Sequence, residues 1–348
     1  MQTYLAFAND QGGVHGRRLQ LLVEDDGYQP PRAVAAFRKL VDQDRVFCLV
    51  GDVGTATTLA IFPLLEREHV PLVMPAAMTS AFYTPPRHEV FAVDPSYYAQ
   101  AWIILRYLAE VARAPSPRLV TIYQDDDFGQ DGLKGLREAA AHYGFPIVAE
   151  EGYRRGAVDF STQVLNLRKA EPTHVVLFTV TRETAAILQE AARAGWHPGF
   201  IGANPAADDK IVELAGPAAT GYLALQVLDF RGDTEAARRY REHTARYRPG
   251  HPPRTYHAYG YYVAQLLVEG LQRAGRDLSR ESLIATLETL DHWSDTIGPP
   301  VTYGPGVRGG LSTAAFLARA DVASRTMVRC TDWIPYDKQP ADLSATGE

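Results

Sequence analysis

The sequence predicts an α/β protein built from two similar lobes, each with a parallel sheet. Short apolar strand segments alternate with amphipathic helical segments in the first part of the chain. The same alternation begins again after residue 94 and continues beyond residue 200. Two strands of the first block end in loops of small and hydroxyl-bearing residues, and open α/β sheets bind ligands at that edge.

The amino-acid composition limits the classes of function that the protein is expected to have. The chain has 348 residues, of which 46% are apolar and 22% charged, which is long enough for two domains. A net charge of -6, with arginines scattered among carboxylates, argues against a nucleic-acid partner. No run of 18 apolar residues occurs, so the sequence predicts no membrane-spanning helix.

In the first block, residues 1–10 read as the end of a helix, followed by a glycine-rich turn. A strand is then predicted at 18–24 and an amphipathic helix at 32–42. The next strand, 45–51, leads into a helix that starts within 52–58. A further strand at 70–74 ends in the loop 75–80, and a short strand follows at 90–93.

The second block repeats this rhythm, and the C-terminal part is mostly helical. Strands are predicted at 118–123, 146–153, 174–178, 199–202 and 221–227. Helices are predicted at 98–112, 130–143, 161–169, 182–194, 208–215, 234–247, 256–274 and 279–290, with a hairpin-like segment at 298–311.

The loops after the strands 45–51 and 70–74 predict a carboxylate site. Hydroxyls and free backbone N–H groups are able to hold a carboxylate without a cation, as helix N-termini do, and these loops offer them at Thr55, Ala56, Thr57, Ala77 and Thr79. The alternative is that each threonine only caps its helix. The sequence leaves both open.

Several motifs together resemble one family. Gly12-Gly13 with the acidic end of the strand 18–24, Val50-Gly51 with Thr55, residues 74–77, and residues 127–129 are each weak signals, but their order and spacing are specific. They resemble type I periplasmic binding proteins of the leucine/isoleucine/valine-binding kind, the solute receptors of ABC importers. The resemblance covers most of the chain.

The resemblance implies two Rossmann-like lobes with parallel sheets joined by a three-strand hinge. The crossings fall near Val93, Val227 and Thr313, so the N-terminal lobe would comprise 1–93 and 228–313, and the C-terminal lobe 94–227 and 314–348. In that family the lobes close on a small ligand. It also implies a periplasmic location, an ABC permease in the membrane as partner, and no cofactor, metal or catalysis.

The same resemblance assigns ligand contacts. Residues matching Thr55, Ala76, Ala77 and Thr79 would bind a carboxylate, and Phe128 would cover the ligand from the other lobe. The family often has an acidic residue where this chain has Asn204, so an apolar compound or aromatic acid is favoured over an amino acid. The predicted ligand contacts are Thr55, Ala56, Ala76, Ala77, Thr79, Tyr98, Phe128, Thr181, Asn204 and Tyr256.

Each aromatic residue near this predicted site, Tyr97, Tyr98, Phe128, Tyr256 and Tyr259, is also readily explained as core. If the ligand were leucine or valine, an acid such as Asp94 or Glu183 would have to hold its ammonium group.

The start of the sequence and its two cysteines leave the cellular setting open. The family begins with a strand, a ligand-contacting loop and a full helix before the Gly-Gly turn, and about thirty such residues have no match here, which predicts a truncated sequence or a variant lobe. Residues 1–8 lack a secretory signal, so the expectation is either a cytoplasmic protein or one whose signal has been removed. Cys48 and Cys330 have no metal spacing and fit either compartment.

An enzyme is the weaker interpretation. The sequence has no Gly-x-Ser-x-Gly, phosphate-binding loop, His-Glu-x-x-His or dinucleotide motif. The run 125–127 would suit a divalent metal, but three aspartates after a strand more often cap the next helix. A cytoplasmic ligand-sensor subunit of the same fold is the other alternative.

Overall fold

A computed structural model describes residues 1–309 and 314–336. The chain divides into two compact units, and it passes from one to the other after Asp94 and after Val227. Unit 1 contains 1–94 and 228–309, and unit 2 contains 95–227 and 314–336. The predicted crossing near Thr313 lies outside the described residues, so the lobe boundaries stay a prediction.

Helices and strands alternate through most of the chain. The helices are α1 Gln2–Asp10, α2 Pro30–Arg38, α3 Thr55–Glu68, α4 Tyr97–Arg106, α5 Asp127–Tyr143, α6 Ser161–Lys169, α7 Thr181–Arg193, α8 Asp209–Ala215, α9 Glu235–Tyr247, α10 Thr255–Ala274 and α11 Arg280–Leu287. The strands are β1 Leu49–Val50, β2 Leu72–Val73, β3 Val90–Phe91, β4 Leu119–Gln124, β5 Ile147–Tyr153, β6 His174–Phe178, β7 Gly199–Gly202, β8 Leu223–Gln226, β9 Ala314–Asp321, β10 Thr326–Arg329 and β11 Ile334–Pro335.

Unit 2 is built on a large sheet in the order β10-β9-β8-β7-β6-β4-β5, with β11 also paired to β9. Strands β5, β4, β6, β7 and β8 are parallel, whereas β9 runs antiparallel to β8. Val175, Val176 and Leu177 are fully buried, as expected for parallel strands covered on both faces. The α/β prediction with mainly parallel sheets is therefore confirmed.

Unit 1 has a smaller parallel sheet, β1-β2-β3. Its core packs Phe37 of α2 and Ile61 and Leu65 of α3 against Leu72 and Val90. These strands are two residues long, which is shorter than the predicted 45–51, 70–74 and 90–93.

The predicted strand 18–24 is wrong. This segment joins no strand ladder among the described residues, and it is held at one end by Asn9, whose side chain both donates to and accepts from the Leu19 backbone at 2.8 Å. A strand requires a neighbour for its backbone groups, and an apolar pattern does not supply one. The hairpin-like prediction at 298–311 is confirmed only in part. Residues 298–309 form no strand, but an isolated antiparallel bridge joins Gly304 to Val307 across a tight turn.

Candidate functional site

The three strands of the unit 1 sheet end at one edge, and the loops beyond them are joined there. The Ala76 N–H donates to the Asp52 carbonyl at 2.7 Å, and the Gly54 N–H donates to the Ala76 carbonyl at 3.3 Å. Asp94 follows β3 at the same edge. This edge, formed by residues 52–58, 74–79 and 94, is called the unit 1 edge below. It contains the predicted carboxylate loops.

Thr55 lies in the first turn of α3 and does not cap the helix. The N-cap is Gly54, which has no side chain to accept a hydrogen bond. Thr55 is 1% exposed, and its Oγ1 has no hydrogen-bond partner among the described residues. By contrast, the Thr57 and Thr58 hydroxyls donate to the Gly54 carbonyl at 2.8 and 2.7 Å. The capping interpretation therefore does not apply to Thr55.

The first turn of α3 also has free backbone donors. Its first intrahelical bond runs from the Thr58 N–H to the Gly54 carbonyl at 2.9 Å, so the N–H groups of Thr55, Ala56 and Thr57 have no partner within the helix. These donors and the positive end of the helix dipole favour an anion. A buried unpaired hydroxyl beside them adds a further donor.

The second loop is less open to a ligand than the sequence suggests. Ala77 is fully buried and Ala76 is half-buried. The Thr79 Oγ1 accepts a hydrogen bond from the Ala81 N–H at 3.4 Å, so Thr79 caps the short helical turn Ser80–Phe82. For Thr79 the capping interpretation has direct structural support.

Asp94 is the most strongly buried acid of the unit 1 edge, with 2% of its surface exposed. The Tyr259 hydroxyl lies 2.7 Å from its Oδ2 and 3.1 Å from the Pro75 carbonyl, which links Asp94 to the second loop. Asp94 Oδ1 has no hydrogen-bond partner among the described residues. Burial raises the pKa of Asp94 to about 7, although the Tyr259 hydrogen bond opposes this.

Tyr256 lies apart from this arrangement. It is the second residue of α10 and is 52% exposed, whereas Tyr259, one turn later, is the residue that contacts the loop after β2.

Three of the predicted contacts follow strands of unit 2. Phe128, in the first turn of α5, is 2% exposed and packs edge-on against Tyr97 with ring centroids 4.5 Å apart. Thr181 is the first residue of α7 and is half-buried. The Asn204 N–H donates to Gln100 Oε1 at 2.8 Å. All three lie where β4, β6 and β7 end, within unit 2.

Tyr98 is held in the contact between α4 and α5. Its hydroxyl donates to Glu138 and its N–H donates to Asp131 Oδ2 at 3.1 Å. Gly135 allows the close approach, because a Cβ there would lie 2.4 Å from the Tyr98 carbonyl oxygen. Burial raises the pKa of the Tyr98 hydroxyl, so it remains a neutral donor.

The aspartate run 125–127 behaves as a helix cap. The Asp126 side chain accepts a hydrogen bond from the Phe128 N–H at 3.1 Å and is the N-cap of α5. The preferred capping interpretation is confirmed. Among residues 1–309 and 314–336 no group of three or more metal-ligating side chains is found.

Comparison with known proteins identifies the family. The sequence model described as periplasmic binding protein matches residues 1–325. The chain belongs to this family. The resemblance inferred from the motifs is therefore confirmed.

Two relatives show what this periplasmic binding protein resembles in sequence. It is 25% identical over 225 residues to a leucine-, isoleucine-, valine-, threonine-, and alanine-binding protein of Pseudomonas aeruginosa, covering 65% of this chain and 60% of the relative. It is 24% identical over 219 residues to the Leu/Ile/Val-binding protein of Escherichia coli K12, covering 63% and 59%. The chain thus matches about 60% of the length of these relatives.

Solved structures confirm the fold. A branched-chain amino acid ABC transporter protein of Thermus thermophilus with bound valine has a TM-score of 0.86 at 22% identity, covering 99% of this chain and 92% of that one. A fatty acid ABC transporter substrate-binding protein of Thermomonospora curvata has a TM-score of 0.85 at 21% identity, covering 98% and 87%. Both share the two-lobed α/β fold.

Sequence reasoning missed Asp52, which belongs to the unit 1 edge, and Tyr28, which packs against it. Asp52 lies two residues after the end of β1 and accepts a hydrogen bond from the Thr58 hydroxyl at 2.5 Å, and burial raises its pKa to about 6. Tyr28 packs its ring on Gly54, where a Cβ would lie 2.2 Å from the ring and where φ is +105°. The position of Asp52 after a strand was a usable signal, whereas the Tyr28 contact depends on tertiary packing.

The described part of this periplasmic binding protein contains no helix long and apolar enough to cross a membrane.

Glu183, the other acid considered from the sequence, is 7% exposed in the first turn of α7. Burial raises its pKa, and a hydrogen bond from the Gly156 backbone opposes the rise.

Proposed function

We propose that the protein is the solute receptor of an ABC importer and binds a small ligand through the ligand's carboxylate at the N-terminus of α3. The observation that carries this proposal is the Thr55 hydroxyl, which is buried and unpaired beside the free N–H groups of the first helical turn. Leaving such a hydroxyl unpaired costs roughly 1–3 kcal/mol, which a bound carboxylate would recover. Membership of the family supports a periplasmic location and a membrane permease as partner.

The rest of the ligand is proposed to be apolar or aromatic. The segment after β7 offers Ala203, Asn204 and Ala206, and the Asn204 side chain donates to the Leu225 carbonyl at 3.4 Å. A neutral amide balances an ammonium group poorly, because burying a charge without an ionised partner costs several kcal/mol. An aromatic or aliphatic acid avoids this cost.

An amino-acid receptor is the second candidate, and Asp94 is the observation that favours it. The buried carboxyl of Asp94 has an unpaired Oδ1 and lies at the same edge as the α3 N-terminus. An ammonium group would pair with this oxygen and lower the raised pKa of Asp94. The relatives from Pseudomonas aeruginosa and Escherichia coli are named for amino acids, which supports this candidate as well.

A thermal-shift screen separates the two candidates. Benzoate, phenylacetate and octanoate are expected to raise the melting temperature, while leucine, valine and phenylalanine are not. A ligand at a hundred times its dissociation constant adds about 2.7 kcal/mol to the free energy of unfolding. Stabilisation by leucine or valine alone would replace the first candidate with the second. Stabilisation only by compounds without a carboxylate would contradict both.

A further inference from the structure

The Thr58 hydroxyl lies between two oxygen atoms that compete for its single proton. Its Oγ1 is 2.5 Å from Asp52 Oδ2 and 2.7 Å from the Gly54 carbonyl oxygen. If Asp52 is ionised, both neighbours are acceptors, and one of these two short contacts has no hydrogen atom of its own. If Asp52 is protonated, its O–H donates to Thr58 and the Thr58 hydroxyl donates to Gly54. The geometry therefore favours a proton on Asp52.

The Tyr259 hydroxyl has the same arrangement with Asp94. Its oxygen is 2.7 Å from Asp94 Oδ2 and 3.1 Å from the Pro75 carbonyl oxygen. A proton on Asp94 allows the carboxyl group to donate to Tyr259 while the Tyr259 hydroxyl donates to Pro75. Asp94 is also almost fully buried, which disfavours a negative charge. Two acids of the unit 1 edge thus share an arrangement in which the neutral carboxyl group completes the hydrogen bonds.

The ionisable side chains around the two acids provide no positive charge. Asp26 acts on Asp52, and as a second acid it disfavours the ionisation of Asp52. The ionisable side chains that contact or act on Asp94 are all tyrosines: Tyr83, Tyr259, Tyr262 and Tyr303. Within the described ranges, no cation acts on either acid. Burial therefore raises the pKa of Asp52 to about 6 and the pKa of Asp94 to about 7.

Hydrogen bonds connect both acids to the surroundings of the α3 N-terminus. Through Thr58, Asp52 reaches Gly54, which is the N-cap of α3. Through Tyr259, Asp94 reaches the loop after β2, whose backbone is bonded to the loop that precedes α3. A ligand carboxylate at the start of α3 would add a negative charge to this region. Because like charges repel each other more strongly where water is excluded, the bound anion disfavours ionisation of both acids.

We propose that binding of the ligand carboxylate at the α3 N-terminus is coupled to proton uptake by Asp52 and Asp94. The neutral acids keep their hydrogen bonds to Thr58 and Tyr259 and place no charge beside the anion. By reciprocity, a ligand that favours the protonated acids binds more tightly where the acids are already protonated. The affinity is therefore highest at about pH 6 and falls as the pH rises above 7. This inference rests on the proposal that the ligand is an acid bound at the start of α3.

Calorimetric titration of the unmodified protein tests the proton uptake. The probe is the acid among benzoate, phenylacetate and octanoate that stabilises the protein most, and it is titrated in phosphate and in Tris buffer at pH 7.5. The difference in binding enthalpy between the buffers should correspond to uptake of about half a proton or more per ligand. The dissociation constant should rise about tenfold or more from pH 6 to pH 8.5. The probes stay ionised throughout, because simple carboxylic acids titrate at about pH 4.

Asparagine variants identify the groups that take up the proton. Asp52→Asn and Asp94→Asn each replace a carboxyl group with an amide of similar shape that does not titrate. Combined in one chain, they should reduce the change in dissociation constant between pH 6 and pH 8.5 to about twofold or less. Asp42→Asn is the matched control, since Asp42 is an exposed acid outside the unit 1 edge, and it should keep the wild-type pH dependence. If the double variant does not fold, the buffer comparison on the unmodified protein decides the proposal.

The outcomes separate a failure of the coupling from a failure of the carboxylate site. Binding of an acid with the same dissociation constant from pH 6 to pH 8.5, and with no buffer-dependent enthalpy, would overturn the coupling alone. Wild-type pH dependence in the double variant would assign the proton uptake to other groups and would also overturn it. Binding of leucine with release of a proton would show an ammonium group paired with an acid that ionises. No binding by any of the three acids at pH 6 would reject the carboxylate site and the coupling together.

Discussion

Replacing Thr55 with valine is expected to weaken binding of the carboxylate ligand by about ten- to a hundredfold and to leave the protein at least as stable as before. The lost bond is a hydrogen bond to a charged group, worth roughly 1.5–3 kcal/mol. Stability should not fall, because the Thr55 Oγ1 is buried without a partner and a methyl group of similar size has no such cost. Calorimetric titration and urea unfolding measure the two effects separately.

Thr57→Val is the matched control in the same helical turn. The Thr57 hydroxyl donates to the carbonyls of Val53 and Gly54 at 2.9 and 2.8 Å, so its loss should lower the free energy of unfolding by about 1 kcal/mol. Its effect on affinity should be small. If Thr55→Val leaves the dissociation constant unchanged, Thr55 is a structural residue and the carboxylate binds elsewhere.

Asp94→Asn is expected to make the protein more stable above neutral pH and to flatten the pH dependence of its stability. The pKa of Asp94 is raised from 3.8 to about 7, so the folded state binds a proton that the unfolded state releases near pH 4. The stability that this extra proton contributes to the folded state is fully present below about pH 4 and is lost as pH rises to about 7. The full change corresponds to up to about 4 kcal/mol.

The comparison uses wild type and Asp94→Asn at several pH values, because Asp52 also has a raised pKa and contributes with the same sign. Asparagine keeps an oxygen for the Tyr259 hydroxyl, so the two proteins should be equally stable near pH 4 and diverge towards pH 8. Parallel stability profiles from pH 4 to pH 8 would show that Asp94 is not protonated in the folded protein near neutrality. The same variant should abolish stabilisation by leucine if the ligand is an amino acid.

The sheet of unit 2 was predictable from sequence because its strands are buried on both faces. A segment such as 174–178 needs only a continuous apolar run to be recognised, and in the sheet it is covered by neighbours on both sides, β4 and β7. In unit 1 the same kind of run at 18–24 is not a strand, because pairing depends on a partner that the pattern does not reveal. The local sequence indicates that the backbone favours an extended conformation. Whether a strand forms depends on hydrogen bonds to a neighbouring strand.

Residues of the candidate site were predictable where they lie in a loop that follows a strand. They were not predictable where tertiary packing determines the contacts of a side chain. Thr55 was found because it follows β1 in a loop of small residues. The hydrogen bond from the Tyr98 hydroxyl to Glu138, 40 positions away in the sequence, forms only because α4 packs on α5. The unpaired Oδ1 of Asp94 is likewise a consequence of burial that sequence spacing does not encode.

The most direct test of the account compares an acid with its primary amide by calorimetric titration, for example phenylacetate with phenylacetamide, or the equivalent pair for the acid that binds best in the screen. The pair differs little in shape, but only the acid carries the charge that the α3 N-terminus and the Thr55 hydroxyl favour. We expect the acid to bind at least about tenfold more tightly than the amide to the wild-type protein, and this advantage to shrink in Thr55→Val. Equal affinities for the acid and the amide in the wild-type protein would contradict a carboxylate site at the start of α3.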